Sequence, residues 1–296
     1  MIYLFKGILS FVEDRWSIGF IEEPLSDIID GKPYTIKYVT GIPKDRWFAD
    51  PFILDYNDNS IELLVEEWLY ATNKGRITRV VIDRSSLQLS ESHVILELPT
   101  HLSYPFILRK EEKIYVLPEN SASGLWKLYE YDRAEDALKE VRILMDKPLT
   151  DAVITELFGD EFVFSTYQPT ACGSVLSVYR KENELYQEID FNSRIARGAG
   201  DWFKIGNKVY RPAQDCNGGY GKAVIIQEVE RDFEGLFSFK NVRRITSTHK
   251  RFNVGCHTLN NYNGLTVVDV RGYRRRIIST FIVSIKNMIK RLIWRS

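Results

Sequence analysis

The stretch FADPFILDYNDNSIELLVEE, Phe48–Glu67, is a short apolar strand, a polar turn and a second strand rich in Leu, Ile and Val, which is the pattern of a β-hairpin. Four more stretches have the same make: LSYPFILRKEEKIYVLPEN from Leu102, LTDAVITELFGDEFVFSTY from Leu149, GAGDWFKIGNKVYRPAQD from Gly198 and VGCHTLNNYNGLTVVDV from Val254. With Asp50, Tyr104, Asp151, Asp201 and His257 as equivalent anchors, the spacings are 54, 47, 50 and 56. A period of roughly 50 residues with several strands in each is the size of a four-stranded propeller blade. The intervening stretches GRITRVVID (Gly75–Asp83) and WKLYEYDR (Trp126–Arg133) alternate apolar and polar residues, as outer strands with one wet face do. The expectation is therefore an all-β, five-bladed β-propeller over residues 1–270, with RWSIGFIEE (Arg15–Glu23) closing the ring on the last blade. A β-sandwich with coincidental spacing is the alternative.

At 296 residues, with 44% apolar and 13% aromatic content, the chain can bury a large core. Forty basic and 40 acidic side chains cancel over the whole, yet Arg271–Ser296 holds eight Lys or Arg and no acid. The first 270 residues are thus acidic, which argues against a nucleic-acid partner. The three cysteines, Cys172, Cys216 and Cys256, are far apart with no C-x-x-C pair, so neither a disulfide framework nor a zinc ribbon is indicated and a reducing compartment fits. No metal cluster and no cofactor motif stands out. The apolar N-terminus MIYLFKGILSFVEDRW carries a lysine within the run and no small-residue cleavage site, so it is not read as a signal peptide. Nor does any segment reach the roughly 18 to 20 uninterrupted apolar residues of a spanning helix.

Residues at matching blade positions face one another across a propeller's axis, where pockets form. Asp50 and Asp151 open blades one and three, and the alternation in LLVEEW sends either Glu66 or Glu67 inward. Glu119, in LPENSASG, ends the matching strand of blade two, and His257 opens blade five. These carboxylates and this histidine are the candidate catalytic set (Asp50, Asp151, Glu66, Glu119, His257), against the plainer reading of Asp50-Pro51 as turn punctuation. Trp47, Tyr104 and Trp202 can stack on sugar rings or serve as core. Arg197, Arg211, Gln214, with Asp201 and Asp215, form a candidate binding set, since arginine forks suit phosphate or carboxylate. An Arg211–Asp215 ion pair between blades is the structural alternative.

The ADPF motif resembles the first blade of five-bladed propeller glycosidases of the arabinanase and β-xylosidase type. That resemblance implies Asp50 as general base and Asp151 as the aspartate that orients it and tunes its partner's pKa. The family's third group, a glutamate acid opening blade four, is missing: RGAGDWF has none. Inverting hydrolysis needs an acid opposite the base, so Asp201, Glu66 or Glu119 would have to substitute. A closer resemblance, through WFADPF, LSYPF and YVLPEN, ARGAGDWF, RPAQDCNGGYGKAV and GCHTLN, is to the N-terminal domain of plant glucosamine inositolphosphorylceramide transferases and to bacterial proteins among surface-polysaccharide genes. It implies glycan metabolism, with a glycan or sugar-nucleotide substrate.

After the last blade, apolar residues at 277, 278, 281, 282, 285, 288, 289, 292 and 293 mark one face of a helix ending at Trp294, with Lys286, Lys290 and Arg291 off that face. A basic amphipathic helical tail over 271–296 suits the headgroup region of an anionic leaflet, or else packs on the propeller or a second subunit. The resulting expectation is a cytoplasmic, peripherally membrane-bound glycosyltransferase-like enzyme of surface-polysaccharide or glycolipid assembly. The alternatives are a glycoside hydrolase with a relocated acid and a non-catalytic glycan-binding module serving a partner transferase.

Overall fold

A computed structural model describes residues 12–180 and 183–293, with side chains through 285. The apolar run up to Phe11 and the terminal Trp294 lie outside the described residues.

Five four-stranded antiparallel sheets follow one another along the chain. Blade one is β3 (Arg46–Tyr56), β4 (Ser60–Leu69), β5 (Lys74–Asp83) and β6 (Leu89–Leu96). Blade two is β7 (Ser103–Lys110), β8 (Lys113–Glu119), β9 (Trp126–Asp132) and β10 (Ala137–Met145). Blade three runs from β11 (Leu149–Leu157) through β12 (Asp160–Tyr167) and β13 (Val175–Arg180) to β14 (Glu184–Asp190), and blade four from β15 (Phe203–Ile205) through β16 (Lys208–Asp215) and β17 (Ala223–Arg231) to β18 (Phe237–Ile245). Blade five joins both ends of the chain. Its inner strands β19 (Leu259–Tyr262) and β20 (Leu265–Tyr273) are completed by β1 (Asp14–Ile21) and β2 (Ile36–Tyr38), and Asp14 to Ile21 pair antiparallel with Tyr273 to Thr266. The expected ring closure by Arg15–Glu23 is therefore a full eight-residue pairing. It leaves the ring without a free inner edge at the junction of first and last sheets.

The inner strands share a local device. Asp50, Tyr104 and Asp151 all have left-handed backbones, with φ of 49°, 45° and 47°, and each sits inside a register shift, between Ala49 and Phe52, Ser103 and Phe106, and Thr150 and Val153. A bulge adds one residue to the inner strand and re-aims its side chain. Holding a non-glycine residue in this region costs about 1–2 kcal/mol, which the packing of both flanking strands sustains. Asp201 and His257 lack the device. In blade four the left-handed position is Gly200, at φ 141°, where a Cβ would run into the Leu259 carbonyl.

Blades pack through apolar faces. Tyr104 is fully buried with its ring edge-on to Phe52 at 5.0 Å, and its hydroxyl accepts a hydrogen bond from the Gly200 amide at 2.8 Å, tying blade two to blade four. The short α1 (Leu25–Ile29) buries Leu25 and Ile28 against blades four and five. Beyond β20 the chain enters α2 (Arg276–Ile293). Ser279 is buried, whereas Ile277, Ile278 and Phe281 are exposed. Among the described residues, no helix is long and apolar enough to cross a membrane.

Candidate active site at the propeller axis

A cavity of about 640 Å³ opens where the inner strands begin. Its wall includes Trp16, Trp47, Asp50, Glu66, Trp68, His101, Glu119, Arg197, Tyr220 and His257, residues that come from all five blades or the segments joining them. Two acid clusters meet it, one on the blade-one and blade-five side through Asp50, and one on the blade-two and blade-three side through Glu119, while Asp269 and Asp151 stand behind the wall.

On the first side, the buried Asp50 carboxylate accepts hydrogen bonds from the Thr258 hydroxyl at 2.7 Å and the Tyr104 amide at 3.1 Å. His257 Nε2 lies 3.5 Å from the same carboxylate. Behind it, His257 Nδ1 is 2.5 Å from Asp269, whose carboxylate also receives the amides of Asp50, His257 and Thr258. Asp269 thus fixes the ring and the backbone of the residue in front of it, and the order from wall to interior is Asp50, His257, Asp269. Burial, opposed by His257 and reinforced by Asp151 and Asp269, pushes the Asp50 carboxyl up to about 6. Burial alone would lower the His257 pKa, but Asp269 and Asp50 outweigh it and raise it. A carboxylate poised near neutrality beside an oriented imidazole is competent to take and return a proton.

The second side is built differently. Asp151 is held by Arg197, from Nε at 2.6 Å and Nη2 at 3.2 Å, and by the Gln214 amide at 2.7 Å. Arg197 Nη2 also reaches Glu119 at 3.4 Å, and Glu119 accepts the Ser121 hydroxyl at 3.0 Å. Burial, then the neighbouring Asp151, raise Glu119 well above its usual range even against Arg197. Burial works against the Arg197 charge as well, but Asp151, Tyr220 and Glu119 more than restore it.

Glu66 and Glu67 separate cleanly. Glu67 turns to the opposite face of β4, onto Arg46, Arg76 and Thr78, while Glu66 lines the cavity. Burial, followed by the like charges of Asp50 and Glu119, pushes Glu66 well above the carboxylate range. Its neighbour His101, 3.6 Å away, is driven down to about 4 by burial and accepts the Gly75 amide on Nδ1. A neutral ring that accepts at Nδ1 carries its proton on Nε2, facing Glu66.

The remaining candidates are placed as follows. Trp47 is on the wall, stacked on Trp68 with ring centres 5.3 Å apart. Tyr104 lies behind the wall. Gln214 reaches the site through Asp151. Asp201, raised to about 7 by burial, and Trp202, packed on Phe164 at 4.3 Å, do not line the cavity. Arg211 is buried within blade four on Gln227 and the Ala196 carbonyl, and Asp215 pairs with Arg244, so the two do not form the ion pair with each other. Asp269, Trp16, Trp68, His101 and Tyr220 were not singled out by sequence. Asp269 had a readable signal: it lies in the second inner strand of blade five as Glu66 and Glu119 lie in those of blades one and two. Trp16 stacks on His257 at 4.0 Å and arrives from the strand that closes the ring, which no spacing reveals.

One set could approach a metal. Asp50, His257 and Asp269 each offer a ligand atom within 4.8 Å of the others. Both Asp269 oxygens, however, are already taken by three amides and His257 Nδ1, and the Asp50 oxygens accept from the Thr258 hydroxyl and the Tyr104 amide, so neither carboxylate is free to turn to an ion. The trio fits a hydrogen-bonded relay better than a coordination cage.

The fold and site define a five-bladed β-propeller with an acid-lined axial pocket. The chain belongs to the family described as glucosamine inositolphosphorylceramide transferase 1, N-terminal, which it matches over residues 37–265. Curated relatives are the glucosamine inositolphosphorylceramide transferase 1 proteins of Oryza sativa, 28% identical over 205 residues, and Arabidopsis thaliana, 26% identical over 227. These alignments cover 64% and 69% of this chain but 27% and 29% of the relatives, so the chain spans under a third of their length. Among solved structures, a β-xylosidase superposes with a TM-score of 0.53 at 10% identity, covering 78% of this chain and 93% of that one. At that identity the likeness carries the fold.

Proposed function

We propose that this propeller is a carbohydrate-active protein of glycan or glycolipid assembly that binds a sugar in the axial pocket and transfers a glycosyl unit, with Asp50 accepting the proton of the attacking hydroxyl. The observation that carries the reading is the Asp50–His257–Asp269 relay opening onto a pocket walled by Trp16, Trp47 and Trp68. Aromatic faces suit the apolar faces of sugar rings, and the buried carboxylate suits proton abstraction near neutral pH. The family relationship supports a role in glycolipid chemistry. The reading also places the protein peripherally at the cytoplasmic face of the membrane. Its support is α2, which begins at Arg276 directly after Arg274 and Arg275 and exposes Ile277, Ile278 and Phe281, a pairing of cations and apolar residues suited to anionic lipid. The test is to incubate purified protein with nucleotide sugars and lipid or oligosaccharide acceptors. Labelled product that is lost in Asp50→Asn supports the proposal, and no product with any donor overturns it.

Glycoside hydrolysis with a relocated acid is the second reading, favoured by one observation: Glu66 is a buried carboxyl in the same pocket as Asp50, pushed well above the carboxylate range by burial and by the like charges of Asp50 and Glu119. Under this reading the chain releases free sugar from oligosaccharides without a donor, and Glu66→Gln abolishes the release.

A further inference from the structure

The Asp151 clamp rests on two cysteines that neither reading uses. Cys172, half-buried in the turn between β12 and β13, places Sγ 3.8 Å from Arg197 Nη1. Cys216, buried just past β16, places Sγ 4.0 Å from the Gln214 side-chain oxygen. Arg197 and Gln214 are the two side chains that hold Asp151. The backbones are tied as well: Arg194 donates from Nε to the Cys172 carbonyl at 2.8 Å and accepts the Cys216 amide at 2.9 Å. The two sulfurs thus flank one clamp, Cys172 on its Arg197 side and Cys216 on its Gln214 side.

We infer that Cys172 and Cys216 form a hydroperoxide-reactive dithiol at the edge of the pocket, with Cys172 as the attacking sulfur and Cys216 as the resolving one. The neighbouring Cys216 thiol, with Arg197 opposing the cost of burial, brings Cys172 down to about 6, while Cys216 is raised. A thiolate beside a guanidinium and open to solvent on one side is the reactive form of cysteine. In the first step the Cys172 thiolate attacks the distal oxygen of a hydroperoxide. The O–O bond breaks, an S–O bond forms, and the alkoxide leaves and takes a proton, giving Cys172 sulfenic acid and an alcohol. In the second step Cys216 loses its proton and its sulfur attacks that of Cys172. The S–O bond breaks, water leaves and the disulfide remains, so two thiols are oxidised by two electrons and one peroxide is reduced to alcohol and water.

This disulfide draws together the sulfur facing Arg197 and the sulfur facing Gln214, so oxidation acts on both supports of Asp151 at once. Cys256, fully buried and raised by that burial, is the internal control.

The experiment treats the full-length native protein with hydrogen peroxide, alkylates the remaining thiols and maps the peptides by mass spectrometry. A Cys172–Cys216 linked peptide is expected, with Cys256 still alkylatable after unfolding. Cys216→Ser should stop at a Cys172 adduct trapped by dimedone, and Cys172→Ser should abolish both products. Without peroxide, iodoacetamide should modify Cys172 at least roughly tenfold faster than Cys256 near pH 7.5, a margin set by thiolate fraction and access. Circular dichroism of each serine variant confirms that it folds. A peroxide-treated wild type with no linked peptide and no dimedone adduct in Cys216→Ser overturns the proposal, as does a linkage that involves Cys256 instead.

Discussion

Asp50 and Asp151 occupy the same place in their blades, with φ of 49° and 47° and the same bulged inner strand, yet they are equipped for different work. Asp50 accepts from one hydroxyl and one amide and lies against an imidazole, none of which commits it to a permanent charge. Asp151 is gripped by a guanidinium from two nitrogens and by an amide besides. A carboxylate held by an arginine fork is fixed in place by parallel charge-assisted hydrogen bonds, whereas one beside a histidine can pass a proton on. The bulge aims the side chain, and the neighbouring blade decides what it does. Blade five supplies the relay to Asp50, and blade four and the segment before it supply the clamp to Asp151.

The sharpest way to break this contrast is to remove the clamp. Arg197 is the cation shared by Asp151 and Glu119, and its side chain is only 11% exposed. Arg197→Ala leaves two buried carboxyls without their counter-charge, a change that costs about 3–5 kcal/mol in comparable buried pairs. The expected result is a clear fall in melting temperature at pH 7.5. A melting temperature indifferent to the substitution would mean that Arg197 does not hold the blade-three side together.

Asp50→Asn tests the other half. It keeps the shape of the side chain and removes the proton acceptor, so glycosyl transfer should drop by about 10²–10⁴-fold, the usual worth of a general base, while sugar binding measured by calorimetry persists. The wild-type rate should rise with pH through about 6 and then level off, because the ionised form is the active one and its pKa is about 6. His257→Gln should keep the fold, lower the rate and displace that limb. A rate that is flat from about pH 5 to 8 would remove Asp50 from the proton-transfer step.

The ring was readable because hairpins repeat, with anchors 47 to 56 residues apart, the size of a four-stranded blade. Alternation in LLVEEW announced one inward glutamate, and pairing of Ala49 with Glu66 settled which. The relay was not readable to the same degree. His257 was found by its repeat position, although it lacks the left-handed backbone of Asp50, Tyr104 and Asp151, while Asp269 was passed over among the valines of β20 although it sits in the second inner strand as Glu66 and Glu119 do. Trp16 and Tyr220 meet His257 from β1 and from the loop after β16, contacts made by ring closure and not by any local pattern. Arg211 and Asp215 show the reverse: two residues that sit close in RPAQDC reach separate partners at different heights of β16, Arg211 on Gln227 and the Ala196 carbonyl and Asp215 on Arg244.

The smallest effect belongs to Glu66, and it distinguishes a neutral wall from a charged one. Its carboxyl in the folded chain is raised well above the ordinary 4.5, so between those two values the folded state holds a proton that the unfolded chain has released. Stability contributed by this group is complete below the unfolded pKa and is lost as pH rises towards the folded one, at about 1.4 kcal/mol per pH unit. Glu66→Gln is neutral at every pH and so lacks that loss. Urea unfolding of wild type and variant should therefore nearly coincide close to pH 4.5 and diverge above it in favour of the variant, with the gap widening by about 1.4 kcal/mol between roughly pH 5 and 6. Curves that stay parallel across that range would mean that Glu66 is ionised in the fold, in which case the wall beside Asp50 is charged.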